Sequence, residues 1–301
     1  MTDFTFADIP EQTGKTAIVT GSNTGIGYEI ARHLARKGAR VLLACRDGDK
    51  AAQAANEMKE GPERLEVETL HLDLANIASV REAAKAAKKE KRIDLLVNNA
   101  GVMMPPLDHA TAGTELQFAV NHLGHFALTA LLLDKIAEDG GGRVVVQSSI
   151  AHKSGDIDFD NLDANQGYEK SPFYSQSKLA NLLFALELDR RLRSANSPVA
   201  AIACHPGVAA SELTRHLKGA AVIKPIMNVV LNTSEQGALP ALQAATDPNV
   251  EGGDYLGPRG LLEARGNSSG RAFKSERARD EDLARRLWET SEELTGVEFK
   301  V

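Results

Sequence analysis

The sequence predicts an α/β protein built on a doubly wound parallel sheet, three layers deep, in a single domain. Three observations predict it. Strand-like runs alternate with amphipathic, helix-like stretches along most of the chain, the pattern of a parallel sheet with crossover helices. The strand-like runs are apolar throughout instead of alternating, as strands covered by helices on both faces are. Finally, 301 residues with 43% hydrophobic content suit one large core.

In chain order, strands are expected at Lys15–Thr20, Arg40–Cys45, Leu65–Leu74, Ile93–Asn98, Arg143–Ser148 and Val199–Cys204, with a further short one near Asp254–Leu256. A helix over Ile26–Lys37 places Ile26, Ile30 and Leu34 on one face, and a final helix over Asp280–Leu294 aligns Leu283, Leu287 and Leu294. Three long loops, Val102–Thr114, Ile150–Pro172 and Val208–Asn232, leave the carboxyl ends of strands and should rim a ligand pocket there. The Gly-rich stretch Gly252–Gly270 reads as surface connection. No linker, repeat or low-complexity tract divides the chain.

Bulk charge excludes some functions. A net charge of −6 leaves no basic footprint for nucleic acid. The densest basic run, Lys85–Arg92, is broken by Glu90 and reads as a solvated helix end. Cys45 and Cys204 both lie in apolar strand-like runs and are expected as buried free thiols, in keeping with a reducing cytoplasm. The first ten residues lack the apolar core of a signal peptide, and no run approaches a membrane span, so no membrane anchor is expected. His122 and His125 share a helix face, but no third ligand lies nearby in sequence. Helix packing, with no metal, is the expectation.

Two motifs carry chemistry. The first strand ends in Thr20-Gly21-Ser22-Asn23-Thr24-Gly25-Ile26-Gly27, where a helix starts. Glycines at such a turn let the backbone approach a pyrophosphate, and the helix N-terminus supplies N–H donors. The spacing is G-x-x-x-G-x-G and not the general G-x-G-x-x-G, and a plain tight turn is the alternative. Tyr174 and Lys178, four apart, share a helix face. A phenol has a pKa of about 10, and a nearby ammonium would lower it toward useful acid–base range. An ordinary helix pair is the bland reading of the same spacing.

Taken in order, these motifs resemble the short-chain dehydrogenase/reductase family, whose members share the Rossmann fold. Asp73-Leu74 resembles the pair beside the adenine ring, and Asn98-Asn99-Ala100-Gly101 the turn beside its ribose. His205-Pro206-Gly207-Val208 resembles the turn facing the nicotinamide, with Ser211 standing where a Thr usually takes the carboxamide. The resemblance implies that Ser149 binds the substrate oxygen, that Tyr174 is the acid and base, that Lys178 also holds the nicotinamide ribose, and that Asn121 completes a proton relay through water and Lys178. Without the family, Ser149 reads as a strand-end turn and Asn121 as a helix-bending polar residue. Where NAD-binding relatives end the second strand with an acid, this chain has Cys45 followed by Arg46. That exchange favours the 2′-phosphate of NADP(H) over NAD(H), against the nearby Asp47.

Gln117–Phe126, Tyr174–Asn181, Ala44–Asp47 and Arg286–Glu289 further resemble the retinol-dehydrogenase-like branch. That branch implies a small apolar carbonyl or alcohol as substrate, or a C=C bond as in protochlorophyllide reduction. A non-catalytic NADP sensor is the alternative outside enzymology. Family habit implies a homodimer or homotetramer, and Leu128, Leu131 and Leu132 could serve such an interface or the core. About 12–150 would hold the cofactor and about 151–301 the catalytic and substrate groups.

Overall fold

The computed structural model describes residues 3–111, 113–137, 141–208 and 232–301. One eight-stranded sheet runs in the order β3-β2-β1-β4-β5-β6-β7-β8. Its strands are β1 (Thr16–Thr20), β2 (Arg40–Cys45), β3 (Val67–His71), β4 (Leu95–Asn98), β5 (Arg143–Gln147), β6 (Ala200–Cys204), β7 (Tyr255–Pro258) and β8 (Ser269–Arg271). All neighbours pair in parallel except β7 with β8. The doubly wound sheet expected from the sequence is the sheet observed.

Helices cover both faces. On one lie α1 (Gly25–Arg36), α2 (Gly48–Glu60) and α7 (Ser234–Thr246), whose Ile30, Leu34, Met58 and Leu242 pack on Val19, Leu43 and Val97. On the other lie α3 (Ile77–Ala87), α5 (Gly124–Ala137), α6 (Lys170–Ser194) and α8 (Glu281–Thr295). The strands feed both cores because successive side chains point to opposite faces: Ile18 and Leu96 go to the second core, Val19 and Val97 to the first.

A short helix, α4 (Leu116–Phe118), leads through a π-helical stretch, Ala119–Leu123, into α5. The run Leu116–Ile136, 21 residues with an 18-residue window of mean hydropathy 1.3, is long and apolar enough to cross a membrane, contrary to the sequence expectation. In the fold it is a core helix with 78% of that window buried. Leu128 and Leu132 are fully buried in it, so they belong to the core and not to an outer interface.

Three further expectations change. β3 is shorter than Leu65–Leu74, so Asp73 and Leu74 lie in the turn beyond it. The Gly252–Gly270 stretch is not mere connection: it holds β7 and opens β8. β7 lies where a short strand was expected near Asp254–Leu256, whereas β8 was missed, because glycines that packing requires look like loop residues. A Cβ on Gly257 would fall 2.1 Å from His205 Nε2. Third, the loop Ile150–Pro172 contributes no residue to the cleft described below, whereas Val102–Thr114 contributes Val102, Met103 and Pro105.

Candidate active site

β1 and β4 lie side by side where the strand order reverses, and beyond their carboxyl ends opens a cleft of about 1050 Å³. One end is made by the β1–α1 turn. Gly21 and Gly25 adopt φ of +66° and +63°, and a Cβ on Gly27 would fall 2.4 Å from both the Gly21 carbonyl and Asn99 Nδ2. Thr24 precedes α1 without a side-chain cap bond. The first-turn amides therefore keep their donor capacity toward the cleft that Gly25, Ile26 and Gly27 line, an arrangement suited to a phosphate. Asn23 and Thr24 also line it, but Ser22 is buried and its hydroxyl donates to the Val19 carbonyl (2.8 Å).

Arg46 lines the same end, exposed, with no acidic partner among the described residues. Asp47 is occupied elsewhere: its carboxylate caps α2 by accepting the Lys50 amide (3.1 Å) and pairs with Lys50 Nζ (2.7 Å). These hydrogen bonds to Lys50 hold the Asp47 carboxyl below its usual range. Asp73 and Leu74 form the next stretch of wall, with Asp73 Oδ1 accepting the Ala75 amide (3.0 Å).

The Asn98–Gly101 turn is locked to β1. Thr20 Oγ1 accepts the amides of Asn99 and Ala100 at 2.9 Å each, and Asn99 Nδ2 donates to the Thr20 carbonyl (2.8 Å). Asn99, Ala100 and Gly101 line the cleft between its two ends.

At the other end, α6 presents Tyr174 and Lys178, both buried and both lining the cleft. Lys178 Nζ donates to the Gln147 carbonyl (3.4 Å) and lies 5.7 Å from the Tyr174 ring centroid. Gly101 has little room for a side chain because a Cβ there would meet Asn121 Oδ1 at 3.1 Å and Lys178 Nζ at 3.4 Å. Three elements thus converge. The Asn121 side chain is fully engaged: Oδ1 accepts the Val102 amide (2.8 Å), while Nδ2 donates to the Val102 carbonyl (3.0 Å) and to Ser177 Oγ (2.9 Å).

Ser149 caps a 3-10 turn, Ile150–Ser154, its hydroxyl accepting the Ala151 amide (3.2 Å). Accepting there leaves the hydroxyl proton for another partner. Its carbonyl takes His152 Nδ1–H (2.7 Å) and the Tyr255 hydroxyl (3.3 Å), fixing the backbone from the far side. Pro206, Gly207 and Val208 follow β6 and are not among the described residues lining the cleft. Pro206 is nevertheless close to it, since a Cβ on Gly237 would contact both Ile26 (3.2 Å) and Pro206 (3.4 Å). Gly207, at φ +73°, packs on the Ala264 carbonyl. Ser211 lies outside the described residues.

The family model for short chain dehydrogenases matches residues 15–220. The chain belongs to the short-chain dehydrogenase family. Human retinol dehydrogenase 13 is 41% identical over 300 residues, covering 95% of this chain and 86% of that protein, which places the chain in the retinol-dehydrogenase-like branch. A crystal structure of an uncharacterized protein from Mycobacterium paratuberculosis is 39% identical with a TM-score of 0.84, over 100% of both chains. A structure from Beutenbergia cavernae assigned as an NAD(P)-dependent gluconate 5-dehydrogenase, with bound NADP at low occupancy, is 26% identical with a TM-score of 0.61, covering 79% of this chain and 91% of that one.

Some cleft residues of this short-chain dehydrogenase escaped the sequence reading. Lys50 and Gln53 reach the cleft from α2, one and two turns past Arg46. Lys50 was legible in principle as the basic residue three after an N-cap Asp. Gln147 at the end of β5 and Ser148 just beyond it hold Lys178, with Ser148 Oγ donating to the Lys178 carbonyl (2.7 Å); no local pattern signals that long-range pairing. His122 packs as expected, buried among Phe118, Phe126 and Phe184. Away from the cleft, Glu29, His33 and Glu235 bring ligand-type atoms within 4.8 Å of one another. Arg32 pairs with both carboxylates (2.5 and 3.1 Å), so this is an ion-pair cluster.

Proposed function

We propose that this short-chain dehydrogenase interconverts small apolar carbonyls and alcohols with NADP(H), Tyr174 serving as acid and base. The observation that carries the reading is that one cleft joins a phosphate-suited Gly turn to Tyr174 and Lys178 on α6. Arg46 and Lys50 stand at the end where a 2′-phosphate would lie, and Asp47 is turned to capping and to Lys50. Gly21, Asn23, Thr24, Gly25, Ile26, Gly27, Asp73, Leu74, Asn99, Ala100 and Gly101 would hold the rest of the cofactor, with Pro206, Gly207 and Val208 on the nicotinamide side. The nicotinamide, when bound, supplies or accepts the hydride.

The chain's own groups handle the oxygen and the proton. Ser149 donates its hydroxyl proton to the substrate oxygen, stabilising the negative charge that develops there. Tyr174 gives that oxygen a proton in reduction and takes it back in oxidation, with the Lys178 ammonium favouring the phenolate. Water bridging Lys178 and Asn121 would return a proton from solvent to Tyr174. Val102, Met103, Pro105, Leu116 and Val120 line the cleft on this side and suit an apolar substrate. Buried thiols at Cys45 and Cys204 fit a cytoplasmic setting.

The test uses purified protein, deuterium-labelled NADPH, and either a medium-chain aliphatic aldehyde or retinaldehyde. Label should appear on the former carbonyl carbon, and Tyr174→Phe should reduce turnover by about 10²–10⁴-fold with NADPH affinity unchanged. Label on an alkene carbon would point to double-bond reduction. Full turnover by Tyr174→Phe would overturn the mechanism.

A further inference from the structure

His125 lies in the first turn of α5 and is buried behind the cleft wall, where its imidazole touches two parts of the site at once. Nε2 lies 2.9 Å from Thr20 Oγ1, and Nδ1 lies 2.9 Å from the Asn121 carbonyl. The direction of both hydrogen bonds follows from counting. A hydroxyl offers two lone pairs and one proton. Thr20 Oγ1 already accepts the amides of Asn99 and Ala100, so no lone pair is left for a ring N–H, and its proton faces the Val97 carbonyl (3.4 Å) and the nearer Nε2 (2.9 Å). Nε2 must then be the acceptor. The Asn121 carbonyl can only accept, so Nδ1 must carry the hydrogen. A single neutral tautomer satisfies every partner. Burial, with Lys178 adding its positive charge against the Asn121 bond, drives the imidazole pKa down to about 4.

We propose that His125 is a positioning residue for proton transfer at Tyr174, acting as an Nδ1–H imidazole that holds the Asn121 carbonyl and the Asn99–Ala100 turn in one register. From Asn121 the connection continues through its side chain to Ser177 Oγ, and Ser177 Oγ donates to the Tyr174 carbonyl (2.8 Å). The cofactor-side turn and the tyrosine are thereby tied through one ring. The role rests on the reading of Tyr174 as proton donor.

Two measurements test it. Nitrogen NMR of histidine-labelled protein, with the His125 signals assigned by loss in His125→Asn, should give a protonated Nδ1 and an unprotonated Nε2 at neutral pH. An Nε2–H tautomer overturns the proposal without reference to activity. The second measurement compares His125→Asn with His125→Gln. The Asn amide nitrogen replaces Nδ1, whereas the Gln amide reaches only the Nε2 position. Aldehyde reduction by His125→Asn should stay within about threefold of wild type, while His125→Gln loses about tenfold in kcat, the effect of one hydrogen bond. The pH profile of kcat should move in His125→Gln alone, with NADPH affinity preserved in both. Equal rates and profiles in the two variants, with Tyr174→Phe inactive, sink the role of His125 only. Wild-type turnover by Tyr174→Phe sinks the underlying reading instead.

Discussion

The two ends of the cleft are built by different means. At the β1–α1 end the backbone forms the surface: left-handed glycines, uncapped first-turn amides, and a Gly27 pressed against the Gly21 carbonyl. At the α6 end the side chains of Tyr174 and Lys178 line it, and Lys178 rests on the distant Gln147 carbonyl. Behind them Asn121 is held by Val102 and Ser177, and the Ser149 carbonyl takes His152 and Tyr255. A backbone site fails when a Cβ is added. A side-chain site fails when a functional group is removed, and its neighbours survive the loss. The two ends should therefore separate in experiment, one governing cofactor affinity and the other turnover.

The largest effect is expected where a side chain enters the backbone end. Gly27→Ala places a Cβ against two fixed neighbours, an overpacking cost of about 1–3 kcal/mol in the free protein. Its thermal melt should fall, and added NADPH should no longer raise the melting temperature. A normal NADPH-induced shift would show that the turn tolerates a side chain and would break the contrast with the α6 end, where Tyr174→Phe should keep that shift intact.

Arg46→Ala should act more mildly, because Arg46 is exposed and Lys50 remains nearby. We expect NADPH to bind about tenfold more weakly with NADH unaffected, the scale of one charged hydrogen bond. Competition titration of the two cofactors measures it; an unchanged ratio would move phosphate recognition to Lys50.

The smallest effect concerns His122, three residues from His125 in the same helical turn but with a different occupation. His122 sits in an aromatic cluster and donates through Nε2 to Ser291 Oγ (2.9 Å), whose own proton goes to the Leu287 carbonyl. Burial, with His125 contributing, lowers its pKa to about 3. The unfolded chain therefore binds a proton that the folded chain refuses, and stability falls as pH drops from about 6.5 toward 3. His122→Phe should flatten that decline by about one proton in a urea-melt series across this window. An unchanged slope would mean the acid sensitivity lies with other buried histidines.

The backbone end was the more legible in the sequence. Gly21, Gly25 and Gly27 are needed for local reasons, a positive φ or a close approach, so their spacing carries the information. Tyr174 and Lys178 were legible because helical periodicity puts residues four apart on one face. Val41–Cys45 and Val144–Val146 announced buried strands by unbroken apolar runs. The strands at the sheet edge were partly hidden, since Gly257 and Gly270 are there to make room for His205 and Arg259 and look like loop residues in isolation.

By itself, the sequence determined the α/β alternation, the parallel sheet, and which residue types could carry the chemistry, because propensity, periodicity and glycine geometry are local. Only the tertiary structure decided which groups satisfy one another. Asp47 was a doubtful neighbour for a phosphate until Lys50 was found on it, and the His122–His125 pair separated into one packing residue and one bridge between Thr20 and Asn121. Hydrogen bonds across 105 residues of chain depend on how the sheet and its helices are brought together, and no spacing along the sequence encodes that.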